Sequence, residues 1–271
     1  FERRAWVFRD PALALYLPDR FGAVPGLWVA CRPTRPGVIL YLHGGAYVMG
    51  SARTHRALVA ALCRRTGMRA ALPDYRLAPG NPFPAAFGDA LAAWEALRAR
   101  GYPAEEILIA GDSAGGGLAL ALLAGLLRRG KRPAGLVAFS PWTDLTLGGA
   151  SLAENAEADP LLPVARIEEA RGYYLGEADP ADPRASPLFA EFTGAPPVFL
   201  QAARTEILRD DTLRMAERLR AQGVEVTHDL WPDAPHVWQI FQGRLPEADA
   251  ALDRAADFVR RLPASPLPSG S

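Results

Sequence analysis

Short apolar runs and longer amphipathic stretches alternate along the chain. Seven runs read as strands: 27–32, 38–43, 69–73, 107–110, 135–140, 198–202 and 224–230. Several are almost wholly apolar, the pattern of strands buried on both faces. Between them the spacing predicts helices over 52–66, 85–100, 114–129, 212–222 and 246–261. Gly130 and Gly223 stand where two of these helices should stop. Strand and helix in alternation, with short joints, imply an α/β fold: a mostly parallel central sheet with helices on both faces.

Two segments break the rhythm. Residues 1–26 are rich in proline, arginine and aromatic side chains, and residues 141–195 separate two strands by far more than one crossover helix needs. Within the second, "VARIEEARGYYLG" suits a helix and "ADPADPRASPLF" is rich in turn residues. Both segments are candidates for a small helical cap over the C-terminal edge of the sheet, where such folds bind ligands. The chain, 1–271, reads as a single domain with a flexible tail at 263–271.

Charge and composition narrow the picture. Thirty basic residues balance thirty acidic ones, so nothing points to nucleic acid or an anionic membrane as a partner. No apolar run approaches the ~18 residues of a membrane span. Cys31 and Cys63 fall in different elements and do not suggest a disulfide framework. A cytoplasmic protein is the simplest expectation, though a leader ahead of Phe1 is compatible with the sequence. Lys131 is the only lysine. A GC-rich genome accounts for that bias, and thermal adaptation is the alternative.

The chemistry starts at residues 107–117, "ILIAGDSAGGG". Gly-x-Ser-x-Gly between a buried strand and a helix start forces a sharp reversal. That reversal lifts the Ser113 hydroxyl clear of the sheet, at the positive end of a helix. A serine hydroxyl is a poor nucleophile without a base, and the base needs an orienting acid. The four histidines are His43, His55, His228 and His236. His228 falls inside a strand and His55 at a helix start, while His43 suits a buried orienting role. His236 stands in "WPDAPHVWQIF", just after the last strand, and is the candidate base. For the acid, "TEILRDD" offers Glu206, with Asp210 its main rival; Asp210 and Asp211 also suit the start of a helix. An oxyanion needs preorganised donors. The small residues Gly44, Gly45 and Ala46 at another strand end, with Ala114 after the serine, are placed to supply or shape them. Tyr47, Asp112, Trp142, Tyr173, Tyr174 and Leu188 are candidate pocket lining, and core packing is the competing role for each. No His, Cys or Asp cluster has the spacing of a metal site.

The runs "HGGAYVMGS", "DYRLAPGNPFPAAFGDA", "GDSAGGGLAL", "SPWTDLT", "EADPLL", "TEILRDD" and "HVWQIF" occur in that order over roughly residues 24–262. On these motifs the sequence resembles the bacterial hormone-sensitive-lipase-like esterases of the α/β-hydrolase fold. The resemblance implies a capped carboxylic ester hydrolase without a cofactor or metal, acting on small-molecule esters of short to medium acyl chain. It assigns Ser113 as nucleophile, His236 as base and Glu206 as acid, and a homodimer is compatible with it. It maps oxyanion donors onto Gly45, Ala46 and Ala114, with Gly44 shaping the turn. Ala46 stands where the family usually has a third glycine, and its N–H is retained. The glycine common a few residues before the acid is missing from "QAARTE", and the N-terminal segment is short for a two-helix cap. An amidase or arylformamidase would use the same triad. A catalytically dead receptor on this fold would lack the histidine.

Overall fold

The structure is a computed structural model that describes residues 10–263. Eight strands form one sheet: β1 (Leu15–Phe21), β2 (Val24–Ala30), β3 (Val38–Leu42), β4 (Arg69–Pro73), β5 (Ile107–Asp112), β6 (Gly135–Phe139), β7 (Val198–Ala203) and β8 (Val226–Trp231). Their order across the sheet is β1-β2-β4-β3-β5-β6-β7-β8. The pairs β1–β2 and β2–β4 are antiparallel, and every pair from β4 to β8 is parallel. The helices are α1 (Ala52–Thr66), α2 (Ala85–Ala99), α3 (Ser113–Leu127), the single-turn α4 (Ser151–Glu154), α5 (Val164–Leu175), α6 (Arg209–Ala221) and α7 (Pro246–Arg261).

The two-residue period of the strands builds two cores. Val38, Leu40, Leu42, Ile107 and Ile109 face one way, against α2, α3 and α6. Ile39, Tyr41, Leu108 and Ala110 face the other, against α1 and α7. Because both faces are covered, the central strands carry no polar side, which is why they read as unbroken apolar runs.

Two expectations change. Residues 15–26, offered as cap, instead form β1 and the start of β2. They make a hairpin turned at Gly22, whose φ is +66°. Pro18 and Pro25 masked these strands, but proline is tolerated in β1 because it is an edge strand. Residues 1–9 of the same candidate, and the tail from 264 on, lie outside the described residues. In addition α6 begins at Arg209, three residues earlier than its spacing suggested, so Asp210 lies in its first turn rather than at its cap, beside Asp211, which suits that turn. The 141–195 insert carries α4 and α5 and joins the larger core through Leu152, Ile167, Tyr174 and Leu188.

Candidate active site

The chain turns from β5 directly into α3 at Ser113, whose φ of +52° lies in the left-handed region. A non-glycine residue is held there only when its surroundings over-determine it. Here the constraint is close packing. A Cβ on Gly115 would collide with the carbonyl oxygens of Leu42 and His43, so the first turn of α3 lies directly on the end of β3. The Ser113 carbonyl accepts a 2.9 Å hydrogen bond from the Trp142 N–H, fixing the turn from the other side.

His236 follows β8 in a loop, next to Val237 with its φ of +51°. Its Nε2 is 2.9 Å from Ser113 Oγ and its Nδ1 2.7 Å from Glu206 Oε2. Glu206 lies in the turn between β7 and α6 and is fully buried. Its second oxygen, Oε1, accepts from the Ala203 N–H at 2.6 Å and from Ser140 Oγ at 2.9 Å. Three elements distant in sequence thus meet at the C-terminal edge of the sheet.

The rival acids are occupied elsewhere. Asp210 accepts from the Ser151 N–H at 3.0 Å and pairs with Arg209. Asp211 accepts from the N–H groups of Thr143 and Asp144 at 2.6 and 2.9 Å. Burial pushes the Asp211 carboxyl up to about 7, against the pull of those two donors.

The glycine-rich loop after β3 carries Ala46 at φ +54° and Tyr47 at φ +63°. Its Gly45 carbonyl is bonded to the N–H groups of Val48 and Met49, each at 3.0 Å. The N–H groups of Gly45 and Ala46 make no backbone hydrogen bond among the described residues, and Ala114 stands in the first turn of α3, where a helix leaves its N–H groups without an intrahelical partner. These donors lie on the loop and on the first turn of α3, which pack against each other beside the serine.

Asp112, offered as pocket lining, is buried beneath the site instead. Its Oδ1 accepts from Tyr41 OH at 2.8 Å, and its Oδ2 lies 3.3 Å from His55 Nε2. Burial pushes this carboxyl up, but His55 and the bond from Tyr41 outweigh it, and the group stays below the usual carboxylate range. A Cβ on Gly44 would strike the same carboxylate, so one buried anion lies under both nucleophile and loop. His43 is buried as well, stacked on Tyr75 at 4.2 Å, and burial together with His55 drives its pKa down to about 3. It is a neutral packing residue. His228 is half-buried in β8, where burial and Arg220 lower its pKa.

Of the other lining candidates, Tyr47, Trp142, Tyr174 and Leu188 are buried in the core. Tyr47 stacks on Tyr174 at 3.8 Å and lies 6.2 Å from Trp142. Tyr173 points outward on α5, its hydroxyl donating to Glu169 at 3.2 Å. Ser140 was missed by sequence reasoning. The available signal was its position at the C-terminal end of β6, between the strands that carry Ser113 and Glu206.

Among the described residues no group of His, Cys, Asp and Glu is arranged to hold a metal ion, and no helix is long and apolar enough to cross a membrane. Residues 39–240 match the model of an α/β-hydrolase-fold family. The chain is 40% identical over 236 residues to an acetyl-hydrolase of Streptomyces hygroscopicus, covering 86% of this chain and 78% of that one. It is 37% identical over 247 residues to an esterase of Acinetobacter venetianus, covering 90% and 82%. A solved esterase of the bacterial hormone-sensitive lipase family superposes with a TM-score of 0.93 at 40% identity, covering 96% of this chain and 89% of that one. These names are those of ester hydrolases, and the amidase reading is not favoured.

Proposed function

Since the chain belongs to the α/β-hydrolase family, among the bacterial hormone-sensitive-lipase-like esterases, and is a serine carboxylesterase, we propose that Ser113, His236 and Glu206 are its triad. The observation that carries this reading is the unbroken line from Ser113 Oγ to His236 to Glu206, at 2.9 and 2.7 Å. Ser113 Oγ attacks the ester carbonyl carbon as its proton passes to His236 Nε2. The N–H groups of Gly45, Ala46 and Ala114 bind the oxyanion, and Glu206 stabilises the imidazolium. His236 then gives the proton to the departing alkoxide. A water molecule, deprotonated by the same nitrogen, releases the carboxylic acid from Ser113. The rival acids are engaged with backbone and arginine, and the histidine is in place, which argues against a receptor on a dead hydrolase fold.

The substrates are esters of short to medium acyl chain, and the 141–195 insert acts as the cap. In support, Trp142 is tied to the nucleophile's own carbonyl, and Tyr47 and Tyr174 stack beside the oxyanion loop. This dense aromatic wall limits the room for an acyl group. Each buried methylene contributes about 0.8 kcal/mol until the wall is reached. Forcing in more then costs about 1–3 kcal/mol. A reducing compartment such as the cytoplasm fits Cys31 and Cys63, both buried with free thiols.

The test is a p-nitrophenyl ester series run below each substrate's aggregation threshold, with Ser113→Ala as control. The expected kcat/KM peaks at about four to eight acyl carbons and falls steeply by about twelve; the rise and fall follow from the burial and overpacking costs above. The variant should fold and lose activity by on the order of a millionfold. A maximum at long chains with a rate jump at an interface would overturn the chain-length reading. A few per cent of residual kcat in Ser113→Ala would overturn the triad.

A further inference from the structure

The run "EADPLL" and the residues before it have no part in the triad, yet they touch the turn that carries its carboxylate. That turn, between Ala203 at the end of β7 and Arg209 at the start of α6, contains no glycine and no regular structure. Its internal backbone bonding is thin: the Glu206 N–H reaches the Ala203 carbonyl at 3.4 Å, and the Arg209 N–H reaches the Glu206 carbonyl at 3.2 Å. The Arg204 N–H donates to the Trp231 carbonyl at 2.9 Å and Thr205 Oγ1 to the Ala234 carbonyl at 3.1 Å, and four further bonds come from the insert. Asn155 Nδ2 donates to the carbonyl oxygens of both Arg204 and Glu206, each at 2.7 Å. The Ile207 N–H donates to Asp159 Oδ2 at 3.0 Å, and the Ile207 carbonyl accepts from Ser151 Oγ at 2.7 Å.

We propose that Asn155 is a positioning residue for the triad carboxylate: its carboxamide bridges two carbonyls of the 204–206 turn and thereby sets where Glu206 meets His236. This rests on Glu206 being the triad acid.

The chemistry of the group suits the task. A carboxamide nitrogen has two N–H donors, and both are used, on carbonyls two residues apart. One side chain therefore spans Thr205 and fixes the start of the Glu206 side chain. Asn155 is itself framed. Its N–H donates to the Ser151 carbonyl at 3.0 Å, and its own carbonyl accepts from the N–H groups of Ala158 and Asp159 at 3.0 and 2.9 Å. Asp159 closes the frame, because its Oδ1 takes the N–H groups of Leu161 and Leu162 at 3.0 and 3.1 Å while its Oδ2 holds Ile207. Ser140 and the Ala203 N–H grip the carboxylate of Glu206; Asn155 grips its backbone. Without Asn155, the Arg204 carbonyl loses its donor and the Glu206 carbonyl keeps only the longer 3.2 Å bond from the Arg209 N–H, so the turn must move to replace what is lost. A displacement of about 1 Å at a catalytic group can cost about a hundredfold in rate.

The experiment is a double-mutant cycle on the full chain: wild type, Asn155→Ala, Glu206→Gln and both together, with kcat and KM read on p-nitrophenyl butyrate and folding followed by circular dichroism. Asn155→Ala is expected to lower kcat about 10–100-fold with KM within roughly threefold. On the Glu206→Gln background the same change should cost less than about threefold, because the group it positions is already disabled. Asn155→Asp, which sets a carboxylate against two carbonyls, should be at least as impaired as Asn155→Ala. If Asn155→Ala melts below the assay temperature, Asn155→Ser carries the same cycle with one donor retained. An equal loss on both backgrounds, or a folded Asn155→Ala with wild-type kcat, would overturn the proposal while Glu206 stands as triad acid. A Glu206→Gln enzyme with near-wild-type kcat would overturn both.

Discussion

Glu206 and Asp210 stand four residues apart in one short stretch, and hydrogen bonds separate their roles. Glu206 has one oxygen on His236 and the other on two donors, whereas Asp210 ties α6 to the insert through the Ser151 N–H. Glu206→Gln keeps the shape but removes the charge facing the imidazolium, and kcat is expected to fall by about four decades. Asp210→Asn keeps an acceptor for Ser151 and should leave kcat within about threefold while lowering stability by roughly 1 kcal/mol. Equal losses in a side-by-side assay, or the reverse ranking, would move the triad acid to Asp210. Ser113 and His236 were legible because their neighbours are constrained locally, by small residues at a strand end and by a loop after the last strand. Ser140, Asn155 and His55 were not legible. Each acts on a partner 50 or more residues away in the chain, and no local pattern records that.

The same division holds for elements. The buried strands and the long helices announce themselves through period and composition, because each buries an apolar run or face that its own residues spell out. β1 does not: Leu15 and Leu17 on it are 61% and 60% exposed, so its alternation lacks a buried side to mark it. What fixes it is the hairpin with β2 and the pair of bonds that Asp19 accepts from Trp28 Nε1 and Arg100, each at 2.7 Å. Glycines inside helices show how an element's neighbours decide a substitution. In α3, a Cβ on Gly115 meets backbone that cannot yield. Gly115→Ala should cost about 3 kcal/mol or more and lower Tm by roughly 6–12 °C. In α2, Gly88 is exposed and has nothing within 4 Å of an added Cβ. Gly88→Ala should therefore add about 0.5–1 kcal/mol through helix propensity. Thermal melts of the two variants check the contrast, and a stable Gly115→Ala would show that α3 can lift off β3 at little cost.

Across the whole molecule, two buried groups shifted in opposite directions pull stability in opposite senses in mildly acid solution. His43 is held neutral, its pKa down at about 3 through burial and His55. The unfolded chain binds a proton there below about 6.5, so His43 contributes stability that is present above that pH and lost as pH falls toward 3. Asp211 has the opposite sign. Its pKa is raised by burial to about 7, so its contribution is fully present below about 4, the unfolded value, and is lost as pH rises through 7. The two shifts are of similar size, and between about pH 4 and 6.5 they offset one another. Asp211 anchors the loop after β6 to the first turn of α6, with Asp144 and its partner Arg214 alongside. Asp211→Asn keeps an acceptor for the Thr143 and Asp144 N–H groups but removes the ionisation. The variant is expected to melt at or below the wild-type Tm near pH 4.5 and above it near pH 8. That change corresponds to on the order of 3 kcal/mol, roughly 6–12 °C. Paired melting curves across that range decide it. A constant offset between the two proteins at every pH would show that Asp211 titrates alike folded and unfolded, with its two backbone donors offsetting the cost of burial.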